Sequence, residues 1–257
     1  AETRWKRFHK GGDYAPFYSD VDLMIDWGKD GAELKADAER KYGGASRTIK
    51  NELHFGKPGL AWGVNNSIGF AAKAIPPGCV FADIGPMFQP TDRRSLFLWM
   101  GFLNSFPIKM ILRLFQSGDR GRFMWIANII EQIPCPGEST LALCAEPSRQ
   151  ATQMFLKETS QDECSPLFMG FAQSHLYQLD NLKSIAGFIR EHVREKAIEL
   201  QNTCSIVDSA VEEAFNDKFL DADDIRALIT KQEDPIEAYL KQFGEVSDTI
   251  LTARLLS

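Results

Sequence analysis

The chain has 257 residues, 44% of them hydrophobic, and carries 29 Lys+Arg against 35 Asp+Glu for a net charge of −6. That is enough apolar material for one substantial core or two smaller ones, and 18 Phe with 5 Trp and no low-complexity tract argue against a disordered chain. No apolar run reaches the ~20 residues of a membrane-spanning helix, so no membrane association is expected.

Residues 1–27 open with Arg4-Trp5-Lys6-Arg7-Phe8-His9-Lys10-Gly11-Gly12. Cations interleaved with aromatics and closed by a glycine pair let side chains and backbone amides approach a phosphate closely. A solvated edge strand with its aromatics in the core would look the same. Tyr14 to Trp27 alternates, with Val21, Leu23 and Ile25 on one face and Asp20, Asp22, Met24 and Asp26 on the other, which predicts a half-buried strand. Gly28-Lys29-Asp30-Gly31 is a turn, Ala32 to Tyr42 a helix of good formers, and Gly43-Gly44 its end. A surface loop follows, through His54.

Phe55 to Phe88 sets apolar and aromatic residues between Gly56, Pro58-Gly59, Gly63, Gly69, Pro76-Pro77-Gly78 and Gly85-Pro86. That punctuation predicts short strands in a curled antiparallel sheet, with Asn65-Asn66-Ser67 as a hairpin tip. Thr91 to Arg94 is a turn able to cap a helix. Ser95 to Gln116 reads as a buried helix broken at Ser105–Pro107. A basic loop, Ser117 to Phe123, holds Arg120 and Arg122, and Met124 to Pro136 is a short apolar element.

The character then changes. A boundary is expected at 136–147, followed by helices over Ala151–Glu158, Leu176–Asn202, Ser205–Asn216, Ala222–Lys231 and Pro235–Phe243. The apolar stripe Leu182, Ile185, Ile189, Val193, Ile198 and Leu200 is the clearest pattern among them. Residues 1–135 hold 18 Lys+Arg and 14 Asp+Glu, a balance of +4, whereas 136–257 hold 11 and 21, a balance of −10. The expected architecture is α+β: a twisted sheet domain with a buried helix (1–136), then a helical spacer or docking module (148–257).

Cys79, Cys135, Cys144, Cys164 and Cys204 are widely spaced, and with His9, His54, His175 and His192 they form no metal-ligand spacing. They read as thiols of a reducing cytoplasm. The first residues lack a signal-peptide core, and the start without Met in strand-like sequence suggests that a larger protein precedes it. No nucleotide-loop, hydrolase-elbow or zincin signature occurs. Methylation of adenine would need a [DNS]-P-P-[YF] tetrad, and the one Pro-Pro here is Ile75-Pro76-Pro77-Gly78. Asp22, Asp26, Glu33 and Lys35 match a metal-dependent nuclease set only loosely.

Several motifs occur in a telling order: Trp5 with Lys10-Gly11-Gly12, Asp26 to Glu33 (DWGKDGAE), Phe55 to Trp62 (FGKPGLAW), Pro77 to Gly85 (PGCVFADIG) and Gly101 to Ser105 (GFLNS). Together they resemble the C-terminal half of large bacterial adenine-specific DNA methyltransferases: PglX-type enzymes of BREX phage-defence systems and Eco57I-like type IIG restriction–modification methylases. The resemblance covers residues 1–136; the helical remainder matches in character. It implies a DNA target-recognition domain followed by helices, with S-adenosylmethionine and adenine N6 methylation belonging to a catalytic half absent from this chain. No catalytic residue and no cofactor are therefore expected here. The implied partners are double-stranded DNA, the parent's catalytic domain and other defence-system subunits. Candidate DNA contacts are Lys6, Arg7, Lys10, Gly11, Gly12, Lys57, Asn65, Asn66, Arg93, Arg94, Arg120 and Arg122, with the cations expected on one rim of the sheet. Arg reads guanine and Asn reads adenine in the major groove, while Lys and Arg attract phosphate. The alternatives are a non-catalytic protein-interaction scaffold and a metal-dependent nuclease fragment.

Overall fold

A computed structural model describes residues 4–12, 14–66, 68–115, 123–162, 164–169 and 182–215. The helices expected beyond 215 lie outside these residues, as do Arg120 and Arg122. In chain order the elements are β1 (Trp5–His9), β2 (Met24–Asp26), α1 (Gly28–Tyr42), β3 (Gly59–Ala61), β4 (Asn65–Asn66), β5 (Lys73–Ile75), β6 (Val80–Phe81) and β7 (Met87–Phe88). They continue with α2 (Leu96–Asn104), α3 (Phe106–Leu114), β8 (Phe123–Met124), α4 (Ala127–Ile130), α5 (Glu138–Thr159) and α6 (Leu182–Phe215). The class is α+β, as the sequence predicts.

The strands make three small sheets, ordered β2-β1-β6, β5-β3-β7 and β4-β8. The second is the antiparallel sheet expected from 55–88, with Leu60 opposite both Ala74 and Phe88. The first departs from it. β6 pairs with β1 in parallel, Phe8 with Val80 and His9 with Phe81, so the 55–88 stretch, which also supplies β4, is split among all three sheets. The strand expected over Tyr14–Trp27 is confined to Met24–Asp26. Phe17 takes a left-handed φ of 65° and exchanges backbone hydrogen bonds with Ala72 and Ala74, which turns Phe17 and Tyr18 into the core. Leu23, expected inside, is 51% exposed. Asn65-Asn66 is not a hairpin tip. It forms β4 and pairs with β8, Asn65 opposite Met124 and Asn66 opposite Phe123.

The helix of good formers is present, entered through left-handed Lys29, Asp30 and Gly31 and closed by left-handed Gly43, whose N–H caps Glu39. The broken helix is present too. Ser105 takes an extended ψ of 147°, and the two halves meet at a 62° bend. Pro107 sits in the first turn of α3, where no backbone donor is required. Asn104, buried at the end of α2, donates to the Ala72 carbonyl (2.8 Å) and accepts from the Ala72 N–H (2.9 Å), pinning this helix to the β5 approach.

α5 begins at Glu138 and runs through the stretch read as a boundary, with Pro147 buried inside it. Pro147 removes the donor for the Leu143 carbonyl, but packing holds the helix together. A Cβ on Gly101 would lie 2.7 Å from the Cys144 carbonyl, so the glycine lets α2 and α5 pack close. The gap expected between 202 and 205 is absent, because α6 is continuous across it. Its buried positions Val193, Ala197, Leu200, Val207 and Val211, with Cys204 half-buried between them, hold a coiled-coil spacing. One buried cluster contains Phe17, Leu60, Phe70, Met100 and Leu112 together with Phe155, Leu200 and Val211. No single helix among the described residues is long and apolar enough to cross a membrane.

Candidate nucleic-acid interface

Lys6, Arg7, Lys10, Lys57 and Arg93 form no ion pair among the described residues, whereas Arg94 is held by Asp92 at 3.4 Å. Lys10, Lys57 and Arg93 are exposed, and Lys6 and Arg7 half-buried. The pleat separates the last two, since successive residues of β1 point to opposite faces. Arg7 shares its face with buried His9. It lies near the Cys79 thiol, whose pKa burial raises against the opposing pull of this guanidinium.

The described candidates fall into two groups, one before the start of β3 and one beyond its end. At its start, Gly56 donates to the Cys79 carbonyl, placing Lys57 close to the Arg7 surroundings. The Gln89 amide donates to the His54 carbonyl at 2.9 Å, and Arg93 and Arg94 follow four and five residues later. At the other end of β3, Gly11 and Gly12 press against Gly63 and Ile84. A Cβ on Gly11 would lie 2.6 Å from the Ile84 carbonyl oxygen, and one on Gly63 2.6 Å from that of Gly12. Only glycine allows this approach, and it brings the backbone that follows Lys10 against the residues that precede the Asn65 strand. So Gly11 and Gly12 serve close backbone packing.

Behind this junction lies a polar interior with no signal of its own in the sequence. His9 is 2% exposed, and Lys73 is buried with its ammonium donating to Ser19 Oγ at 2.6 Å. Burial first, and the Lys73 charge second, pull the His9 pKa down to about 3. The Lys109 ammonium, also buried, donates to the Tyr14 hydroxyl at 3.3 Å and lies over that ring. The Tyr18 hydroxyl donates to Asp20, and its pKa rises through burial and that bond. These cations are structural, since their ammonium groups are spent inside.

The loose nuclease set is dispersed into local roles. Asp26 accepts from Arg4 and from the Gly28 N–H, and both contacts hold its carboxyl below the usual range. Lys35 pairs with Glu52 and lies over the Trp27 ring. Among the described residues, no three His, Cys, Asp or Glu side chains gather into a metal-binding group.

This is an α+β chain with a glycine-packed sheet junction and surface cations that form no ion pair among the described residues. Over 117 residues, 44% of its length, it is 26% identical to the adenine-specific methyltransferase PglX of Lacticaseibacillus casei (strain Zhang). The matched stretch spans 9% of that protein. The likeness relates the chain to a methyltransferase and assigns no role to the matched residues. No protein-family model matches.

Proposed function

We propose that this chain reads DNA sequence for a bacterial adenine-N6 DNA methyltransferase of a restriction–modification or phage-defence system. Methyl transfer from S-adenosylmethionine would take place elsewhere in the parent protein. The observation that carries this reading is the 117-residue likeness to PglX, in a chain that lacks the [DNS]-P-P-[YF] tetrad. Exposed Lys10, Lys57 and Arg93, which form no ion pair among the described residues, support it, because such a cation can replace counterions on phosphate.

The test is binding of the full chain to labelled duplexes at a series of salt concentrations. Binding should weaken linearly in log–log form, and Lys10→Ala and Arg93→Ala should each reduce the slope by about 0.9. Calorimetry should show no stoichiometric S-adenosylmethionine binding. Tight cofactor binding, or no duplex binding at low salt, would overturn the reading.

A further inference from the structure

We infer that the β4–β8 ribbon is the element that reads bases, with Asn65 placed for adenine and Met124 for the adjoining thymine methyl. This rests on the DNA reading above and narrows it to one surface. Asn65 and Met124 face each other across an antiparallel pair, so their side chains project from the same face of the ribbon. Phe123 takes the opposite face and is buried against Trp125, with ring centroids 5.6 Å apart. The ribbon is thus anchored on one side, and Asn65 and Met124 are exposed on the other. Met124 is 55% exposed, and Ile126 is exposed beyond it. The Trp125 N–H donates to the Val64 carbonyl at 2.7 Å, extending the pairing by one more bond.

The chemistry of the open face is specific. The Asn65 carboxamide is exposed and makes no side-chain hydrogen bond among the described residues. A free carboxamide offers one donor and one acceptor side by side, the complement of the adenine N6 and N7 edge. A two-stranded ribbon fits the major groove, which is about 12 Å wide, and an exposed apolar side chain there contacts the thymine methyl.

Charge distinguishes this surface from a protein-docking patch. Residues 62–72 and 123–130 contain no ionisable side chain, and Lys10 is the cation that adjoins them on the exposed side. Lys10 immediately precedes the Gly11–Gly63 contact, two residues of chain before Asn65, whereas the Arg113 guanidinium lies 3.5 Å from the Phe123 ring centroid on the anchored side. A neutral hydrogen-bonding face with an exposed cation beside it suits a polyanion whose bases meet the neutral groups while a phosphate meets the lysine.

The experiment selects bound sequences from a random duplex library with the full chain and with Asn65→Ala, Asn65→Asp, Met124→Ala and Lys10→Ala. All three positions are exposed, and unchanged thermal melting establishes that each of the four variants is folded. Wild type should enrich a motif. Asn65→Ala should lose one A·T position by about 5- to 150-fold while keeping its affinity for unselected DNA. Asn65→Asp should move the preference at that position away from adenine, and Met124→Ala should relax the neighbouring one. Lys10→Ala should weaken all sequences alike. If wild type enriches a motif that both Asn65 variants and Met124→Ala retain, the ribbon is not the reader, although the chain still reads DNA. If wild type binds no duplex, the broader reading falls and this inference with it.

Discussion

The residues that decide the sheet junction are small or buried, and their effects on stability are separable. His9 has a pKa of about 3 in the folded chain, against about 6.5 for a free imidazole. The unfolded chain therefore takes up this proton first as the pH falls. Stability from this group is complete above about pH 6.5 and declines toward pH 3, by up to ~1.4 kcal/mol per pH unit. Urea denaturation at pH 7 and pH 5 should show that loss in wild type, and His9→Gln should flatten it. Equal slopes for the two proteins would remove His9 from the acid response. Asn104 tests a different principle. Its carboxamide satisfies both polar groups of Ala72, so Asn104→Ala strands a buried donor and a buried acceptor. The expected cost is roughly 2–4 kcal/mol in chemical denaturation. Asn104→Asp, keeping only the acceptor, should fold with a loss about as large.

At the level of elements, local signals and remote pairings divide what the sequence shows from what it hides. The break at Ser105–Pro107 was legible because Pro removes a donor wherever it stands, and the end of α1 because Gly43 favours a left-handed cap. The 14–27 strand was misread for a related reason. Alternating residues suggest a pleat, but left-handed Phe17 diverts the chain to Ala72 and Ala74. β4 had no local mark at all: Asn66 meets Phe123 across 57 positions, and tertiary packing alone determines that pairing. The same limit applied to the candidate site. Lys10 and Arg93 stand out in the sequence as cations, whereas the β4–β8 ribbon exists only once two distant segments meet. Helix packing gives a paired prediction. Gly101→Ala gains about 1 kcal/mol of helix propensity but drives a Cβ to 2.7 Å from the Cys144 carbonyl. Overpacking of that kind costs roughly 1–3 kcal/mol, so the variant should be less stable despite the better helix former. Pro107→Ala, in the first turn of α3, should change stability by under about 0.5 kcal/mol. Thermal melts of the two variants check both, and a more stable Gly101→Ala would mean that α2 and α5 separate easily.

Across the whole molecule, the charge division at residue 135 does not coincide with the division of the core. Phe17, near the start of the basic part, has its ring centroid 6.0 Å from that of Phe155 on α5, in the acidic part. Both belong to one buried cluster with Met100 of α2 and Leu200 of α6. A core shared in this way should couple the unfolding of the two parts. The chain provides a probe for each, because Trp5, Trp27, Trp62, Trp99 and Trp125 all lie before residue 136. The two longest described helices, α5 and α6, lie after it and weigh heavily in the far-ultraviolet dichroism. Tryptophan fluorescence and dichroism at 222 nm should therefore trace one coincident transition in urea. Phe155→Ala makes the test sharper. Truncating a buried Phe costs roughly 3–5 kcal/mol, and Phe155 enters the core from α5, in the acidic part. In a single cooperative unit the substitution moves both transitions to lower urea by the same amount. If dichroism shifts while fluorescence stays in place, residues before 136 unfold independently, and two separately stable domains replace the shared core.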